Sequence, residues 1–236
     1  SAQVRPQGRG EEPLITKAVD MIKQAQRPLL LAGSGLFYSQ GAAALTAFAQ
    51  KTDIPILTPL WDRGAVEEQL PQYIGVTDPE VNPAFEYLAQ CDLLINVGAR
   101  LDYRQDYLWN CAPTMSLLHI DHDPNELRRS HNPDLGIVGN CGTVLNQITD
   151  LLSKNPAHSA WLGQIIEHRE QGLAKWFQMD QDDQIPFRSA RLVLELAPFL
   201  EDEQTIFIID GGNIGRWAHM LLYNRHRGKW LTCGTS

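Results

Sequence analysis

The hydrophobic positions of the chain follow two alternating rhythms. Ile15, Val19 and Ile22 recur at helical spacing within Ile15–Gln26, which predicts an amphipathic helix with one apolar stripe. Next, Pro28-Leu29-Leu30-Leu31-Ala32 is an unbroken apolar run that ends at Gly33-Ser34-Gly35. Such runs suit a parallel strand covered on both faces. A helix with Leu45, Phe48 and Ala49 on one side follows, with Ser39 placed to cap it. Strand-like runs return at Ile54–Leu57, more weakly at Tyr73–Gly75, then at Leu93–Val97, Leu117–Asp121 and Gly136–Gly139. A short helix is expected at Pro83–Gln90 and a closing helix at Val144–Leu152. This alternation predicts βαβ units, an α/β fold with a doubly wound parallel sheet and helices on both faces.

The rhythm breaks after 152. Residues 153–186 are more polar, with Trp161, Ile165, Trp176 and Phe177 as helical anchors, and read as a connecting helix and linker. A second unit opens at Phe187: a helix at Ser189–Leu196, a strand at Thr205–Asp210, the turn Gly211-Gly212-Asn213, a helix with Trp217 and Leu221, and a strand at Lys229–Thr232. Two strands and two helices cannot bury both sheet faces, so this unit is expected to be an incomplete α/β domain. The division is therefore a tail at 1–9, a first domain at 10–155, a linker at 156–186 and the start of a second domain at 187–236. The chain opens with Ser1 rather than Met, and a processed, tagged or excised piece is expected.

Composition narrows the function classes. The chain has 236 residues, 43% of them hydrophobic, enough for a sizeable core, and 20 Lys+Arg against 28 Asp+Glu leave a net charge of −8. An acidic chain without a basic block is a poor nucleic-acid binder. The cysteines at 91, 111, 141 and 233 form no CxxC pair, which fits buried thiols in a reducing cytoplasm better than a disulfide framework or zinc site. No apolar run approaches the roughly 18 residues of a membrane span, so no membrane is expected as a partner.

Ligands of an open parallel sheet bind beyond the carboxyl ends of its strands, so the residues that follow each strand are the candidates. Gly33 and Gly35 allow close backbone approach to a phosphate or adenine, although an ordinary strand–helix turn explains them as well. In an extended Gly98-Ala99-Arg100-Leu101-Asp102-Tyr103-Arg104, the residues Arg100, Asp102 and Arg104 would share one face. Two guanidiniums flanking a carboxylate suit a diphosphate or ribose; a solvated salt-bridging loop is the alternative. His119, Asp121, His122 and Asp123 offer imidazoles and carboxylates, but neighbours on a strand point apart, so no metal is expected there. Asp121 suits ribose hydroxyls, and Asp123-Pro124-Asn125-Glu126 also reads as a helix start. At Asp210-Gly211-Gly212-Asn213 two glycines precede a helix, a ready anion site; a plain tight turn is the alternative. No GxSxG elbow and no Walker sequence occurs. The residues alone define a nucleotide-type cleft.

Several of these pieces occur together in one family. RPLLLAGSGLFYSQGAAALTAFAQKTDIPILTPL (27–60), CDLLINVGARLDYR (91–104), LLHIDHDPNELRR (117–129) and GIVGNCGTVLNQITDLL (136–152), in that order, resemble the Rossmann-like central domain of thiamine-diphosphate-dependent enzymes, acetolactate synthases in particular. IFIIDGGNIGRWAHMLLYNRHRGKWLTCGTS (206–236) is similar to the first part of that family's C-terminal, diphosphate-binding domain. The resemblance implies that Gly98, Arg100, Asp102 and Arg104 help hold FAD in flavin-containing members. It further implies that Asp121 and the Gly139-Asn140 pair line the adenosine end, and Asn140 stands where the family carries Asp. Other members hold ADP, NADP or nothing there. Gly211, Gly212, Asn213 and Ile214 fall at the turn that receives thiamine diphosphate; acetolactate synthases carry Gln-His at the last two positions. The implied parent is an enzyme with thiamine diphosphate and Mg2+ that forms or cleaves a C–C bond of a 2-keto acid, a homo-oligomer (dimer or tetramer) when intact. Its activating Glu and its magnesium-binding Asp and Asn are implied to lie outside these residues, so the piece alone is expected to be inert. The competing reading is a stand-alone nucleotide-binding or regulatory module of the same fold.

Overall fold

The computed structural model describes residues 8–67, 69–181, 184–224 and 229–232, and for residues 104, 106, 180, 181 and 229 the backbone alone. Strands β1 (Pro28–Ala32), β2 (Ile56–Thr58), β3 (Tyr73–Val76), β4 (Leu93–Val97), β5 (Ser116–Asp121) and β6 (Leu135–Val138) form one six-stranded sheet in the order β3-β2-β1-β4-β5-β6. Every neighbouring pair is parallel. The order reverses between β1 and β4, the topological switch point of a Rossmann-like sheet.

All five residues of β1 and of β4 are buried, which is why β1 reads as an unbroken apolar run and β4 as one interrupted only by Asn96. Leu30, Ala32, Ile95, Val97, Leu118 and Ile120 pack beneath helices α1 (Glu12–Gln24), α3 (Ala42–Thr52) and α4 (Cys141–Leu151). Leu29, Leu31, Leu94 and Leu117 face the 3-10 helix Pro83–Gln90 and the long α5 (Pro156–Phe177). Each Leu, Ile or Val side chain among them contributes about 1.5–3 kcal/mol when fully buried.

Several local expectations shift. A short extra helix, α2 (Ser34–Tyr38), follows β1, and Ser39 closes it, its hydroxyl donating to the Leu36 carbonyl at 2.8 Å, instead of capping the next helix. Gln40 then takes φ 57°, and Gly41 precedes α3. Helix α4 starts at Cys141, three residues ahead of the apolar periodicity, because the Asn140 side chain accepts from the Thr143 amide at 3.0 Å. The tail is fastened at its end: the Gly8 carbonyl accepts from the Asn140 amide, and the Gly10 backbone pairs with the Gln147 side chain.

The second unit comprises α6 (Ser189–Leu196), β7 (Ile206–Ile209), α7 (Asn213–Leu221) and β8 (Lys229–Thr232), with β7 and β8 paired in parallel as a separate sheet. One face packs on α6 and α7, while Ile206, Ile208 and Leu231 are exposed on the other. Val76 and Val81 of the first unit share a core with Leu173 of α5 and with Val193, Ile209, Leu221 and Trp230. The connecting helix expected in 153–186 is α5, a structural strut that places Trp161 and Ile165 in one core and Leu173 in the next. Among the described residues no helix is long and apolar enough to cross a membrane.

Candidate cofactor sites at two strand ends

Beyond β1 and β4 the two glycine-bearing loops lie directly on each other. A Cβ on Gly33 would sit 2.2 Å from the Ala99 Cα, and one on Gly35 would sit 2.8 Å from the Gly98 Cα. Gly98 itself has φ +65°, a left-handed conformation that costs any other L-residue about 1–2 kcal/mol. The amides are used as well. Gly33 N–H donates to the Val97 carbonyl, Gly35 N–H to the Gly98 carbonyl, and Ser34 N–H to Asp62 Oδ2 at 3.1 Å. These glycines serve backbone-to-backbone packing at the switch point, and their donors already have protein acceptors.

The loop after Gly98 is not extended, so the alternation expected to put Arg100, Asp102 and Arg104 on one face does not apply. A 3-10 helix occupies Tyr103–Leu108, and the Asp102 carbonyl accepts from the Gln105 and Tyr107 amides at its start. Arg104 falls within that helix, and its side chain lies outside the described residues. Arg100 stays near the crevice, half-exposed, and donates to Glu126 Oε1 at 3.2 Å. Arg129 reaches the same oxygen at 3.0 Å, while Glu126 Oε2 is buried without a partner among the described residues. Glu126 thus occupies Arg100 as an internal anion. Reading Asp123–Glu126 as a helix start hid this role; the signal available was an acid five residues past the strand-tip Asp121.

At the tip of β5, Asp121 is buried and accepts from the Asp123 amide at 2.9 Å, with the exposed His122 Nδ1 at 3.2 Å. Burial raises its carboxyl above the usual carboxylate range, with Glu126 adding repulsion. His119, two residues earlier on the same strand, is buried in the interior. Its Nε2 meets the Asn96 amide nitrogen at 2.9 Å, so Nδ1 carries the proton, without a partner among the described residues. Desolvation brings its pKa down to about 4, leaving a neutral imidazole at physiological pH. Asn140, read as part of the adenosine end, is the N-cap of α4.

The turn between β7 and α7 is built differently. Gly212 N–H donates to Asp210 Oδ1 at 3.0 Å, and Gly215 N–H to the Gly212 carbonyl. The amides of Asn213 and Ile214, the first two of α7, have no acceptor among the described residues, and both residues are exposed. Gly212 provides no side-chain cap. This helix start therefore presents open donors at the positive end of its dipole. Residues 233–236 lie outside the described residues.

Comparison with known proteins bears on both strand ends. Residues 15–148 match the family described as thiamine pyrophosphate enzyme, central domain. The chain is 31% identical over 228 residues to a probable acetolactate synthase large subunit of Methanocaldococcus jannaschii, covering 91% of this chain and 37% of that protein. It is 29% identical over 230 residues to the acetolactate synthase large subunit of Parasynechococcus marenigrum, covering 94% of this chain and 36% of that protein. With the acetolactate synthase isozyme 2 large subunit of Escherichia coli it shares 33% identity over 142 residues, 59% of this chain and 26% of that protein. The chain thus spans between about a quarter and little more than a third of the length of these relatives.

Proposed function

Because the chain belongs to the thiamine pyrophosphate enzymes, whose central domain it carries, we propose that it is part of an acetolactate synthase-like enzyme that makes or breaks a C–C bond beside the carbonyl of a 2-keto acid. The observation that carries this reading is the β7–α7 turn, whose Asn213 and Ile214 amides face solvent with no acceptor among the described residues. A helix start with open donors fits a diphosphate, and Gly211 and Gly212 keep side chains out of its way. Thiamine diphosphate, when bound, supplies the carbanion chemistry. This chain's own part is to bind and orient the diphosphate end, with Mg2+ as the partner ion. The activating acid and the magnesium ligands are proposed to lie outside these 236 residues, in a homo-oligomeric cytoplasmic protein.

For the first strand end we propose an FAD- or ADP-type ligand held by Arg100 and Asp121 rather than by the Gly33 and Gly35 amides, which are engaged in loop packing. Such a ligand would displace Glu126 from Arg100.

Calorimetric titration of the full-length protein tests both proposals. Asn213→Pro removes one open amide at a helix position that tolerates proline, after a Gly212 already extended at φ −72°, ψ 166°. Binding of thiamine diphosphate with Mg2+ should weaken about tenfold, the loss of roughly one charge-assisted hydrogen bond. Arg100→Ala should weaken whichever of FAD, ADP or NADP binds by a similar factor. Full-length protein that binds a nucleotide but neither thiamine diphosphate nor a keto acid would instead establish the stand-alone regulatory module.

A further inference from the structure

Two arginines, Arg63 and Arg169, are 1% and 3% exposed, and neither has a carboxylate partner among the described residues. Arginine is almost never fully buried unless paired, so their contacts need a reason. Arg63 lies in the 3-10 helix Leu60–Ala65 after β2. Its Nε and Nη2 donate to the Tyr223 carbonyl at 3.0 and 2.7 Å, and Nη1 donates to the Val66 carbonyl at 2.6 Å. Its guanidinium sits 4.5 Å from the Tyr73 ring centre and 4.9 Å from that of Trp230. Arg169, on α5, donates from Nη2 to the Met220 carbonyl at 3.2 Å and lies over the Tyr223 ring.

Both arginines therefore converge on one place, the carboxyl end of α7 and the residues just after it. That end carries the negative pole of the helix dipole and carbonyls without intrahelical donors. Cations there are favourable, more so in a partly or fully buried geometry. Further along, Asn224 pairs with the Leu70 backbone in both directions at 3.2 and 3.0 Å, and Arg216, on α7 itself, bonds Asp78 and Glu80 at 3.1 and 2.6 Å. Arg63 comes from the first unit and Arg169 from the strut, and each donates to a carbonyl of the second unit, Tyr223 and Met220 respectively, with Val66 of the first unit as the further acceptor of Arg63. A core-compatible Leu or Met would fill the same space and leave these carbonyls without donors.

We infer that Arg63 and Arg169 are positioning residues, a two-pronged cationic cap that holds the carboxyl end of α7 so that its opposite end, the Gly211–Ile214 turn, is presented in one orientation. The inference rests on the proposed diphosphate role of that turn. A rigid helix transmits orientation along its nine residues, so releasing one end lets the other swing, and an anion held by backbone amides is sensitive to small angular errors.

The test uses full-length protein as wild type, Arg63→Met, Arg63→Lys and Arg169→Met. Backbone amide exchange over residues 213–224 should quicken at least tenfold in both methionine variants, with β1 and β4 amides unchanged. Affinity for thiamine diphosphate with Mg2+ should fall at least tenfold in the protein that remains folded. Arg63→Lys keeps the charge and loses the fork, and should recover part of both effects. Unaltered exchange in both methionine variants overturns the cap. Faster exchange with unaltered affinity, or a lower melting temperature alone, reduces the pair to a structural role and also overturns the inference. If Arg63→Met fails to fold, Arg169→Met on α5 decides by the same two readouts. Wild-type protein that binds no thiamine diphosphate refutes the functional reading, while the exchange data still decide whether the cap exists.

Discussion

The two glycine turns of this protein look alike in sequence and do opposite work. At the end of β1, Gly33-Ser34-Gly35 spends its amides on Val97, Asp62 and Gly98, and its missing side chains let two loops touch. At the end of β7, Gly211-Gly212 leads into a helix whose first amides stay open. The difference is set by what lies opposite. The first turn faces a neighbouring strand's loop across the switch point, whereas the second belongs to a two-stranded sheet and faces solvent. A glycine pair at a strand end thus reports close approach, and only the surroundings say whether the approaching group is protein or ligand.

The sharpest way to break this comparison is to add a methyl group at each turn. Gly33→Ala drives a Cβ into the Ala99 backbone at 2.2 Å, where no flexible side chain can move aside. A loss of about 4 kcal/mol, at the severe end of overpacking, is expected in urea unfolding. At Gly212 a Cβ meets only the Asp210 side chain, nearest at Oδ1 at 3.0 Å, and Gly212→Ala should cost less than about 1 kcal/mol, as a half-buried cap position does. Equal losses at both turns would refute the distinction.

Acid offers the next largest effect. Each region has a neutral buried imidazole beneath it: His119, brought down to about 4 by burial, and His219, brought to about 3 by burial and the nearby Arg63. With folded-state values depressed, the unfolded chain binds more protons below its ordinary value of 6.5. Stability therefore falls as pH drops from about 6.5 to the folded value, and this contribution levels off below it. Each histidine accounts for on the order of 3 kcal/mol. His119→Asn should flatten the acid limb of a melting-temperature profile recorded between pH 7 and 4, and an unchanged limb would count against the buried neutral imidazole.

Smaller effects sharpen the picture at the helix starts. Helix α4 has the Asn140 side chain as its cap, with bonds to the Thr143 amide and hydroxyl at 3.0 and 3.1 Å, whereas α7 has none. Asn140→Ala should cost about 1 kcal/mol in chemical denaturation. Asn140→Asp keeps the acceptor and should be close to neutral. Smallest of all, Glu126→Gln weakens a half-exposed contact with Arg100 and Arg129. It should change stability by less than about 0.5 kcal/mol while tightening any nucleotide that needs Arg100, readable by titration.

Local sequence was enough wherever one physical cause dominated. The apolar runs of β1 and β4, the second interrupted only by Asn96, suit strands buried on both faces, and the 3.6-residue periodicity at Ser189–Leu196 matches α6 to the residue. The doubly wound class follows from that alternation, because parallel strands need crossovers and crossovers need covered faces. Of the candidate site, the strand-end positions of Gly33, Gly98, Asp121 and Gly212 were readable for the same reason.

What the pattern could not hold was anything decided by a partner distant in sequence. An alternation rule placed Arg100, Asp102 and Arg104 on one face, but the chain coils into a 3-10 helix at Tyr103, a choice made by contacts around it. The pairing of Arg100 with Glu126 spans 26 residues, and that of Arg63 with the Tyr223 carbonyl spans 160. A lone arginine in a loop looks solvated, and no spacing says that it will be buried against two aromatic rings. Composition, periodicity and glycine placement fixed the sheet and the positions of its loop ends, because these follow from short-range sterics and burial. Which amides stay open, and which cations cap which helix, were settled only when segments far apart in the chain came into contact, because hydrogen-bond partners are assigned by proximity in space.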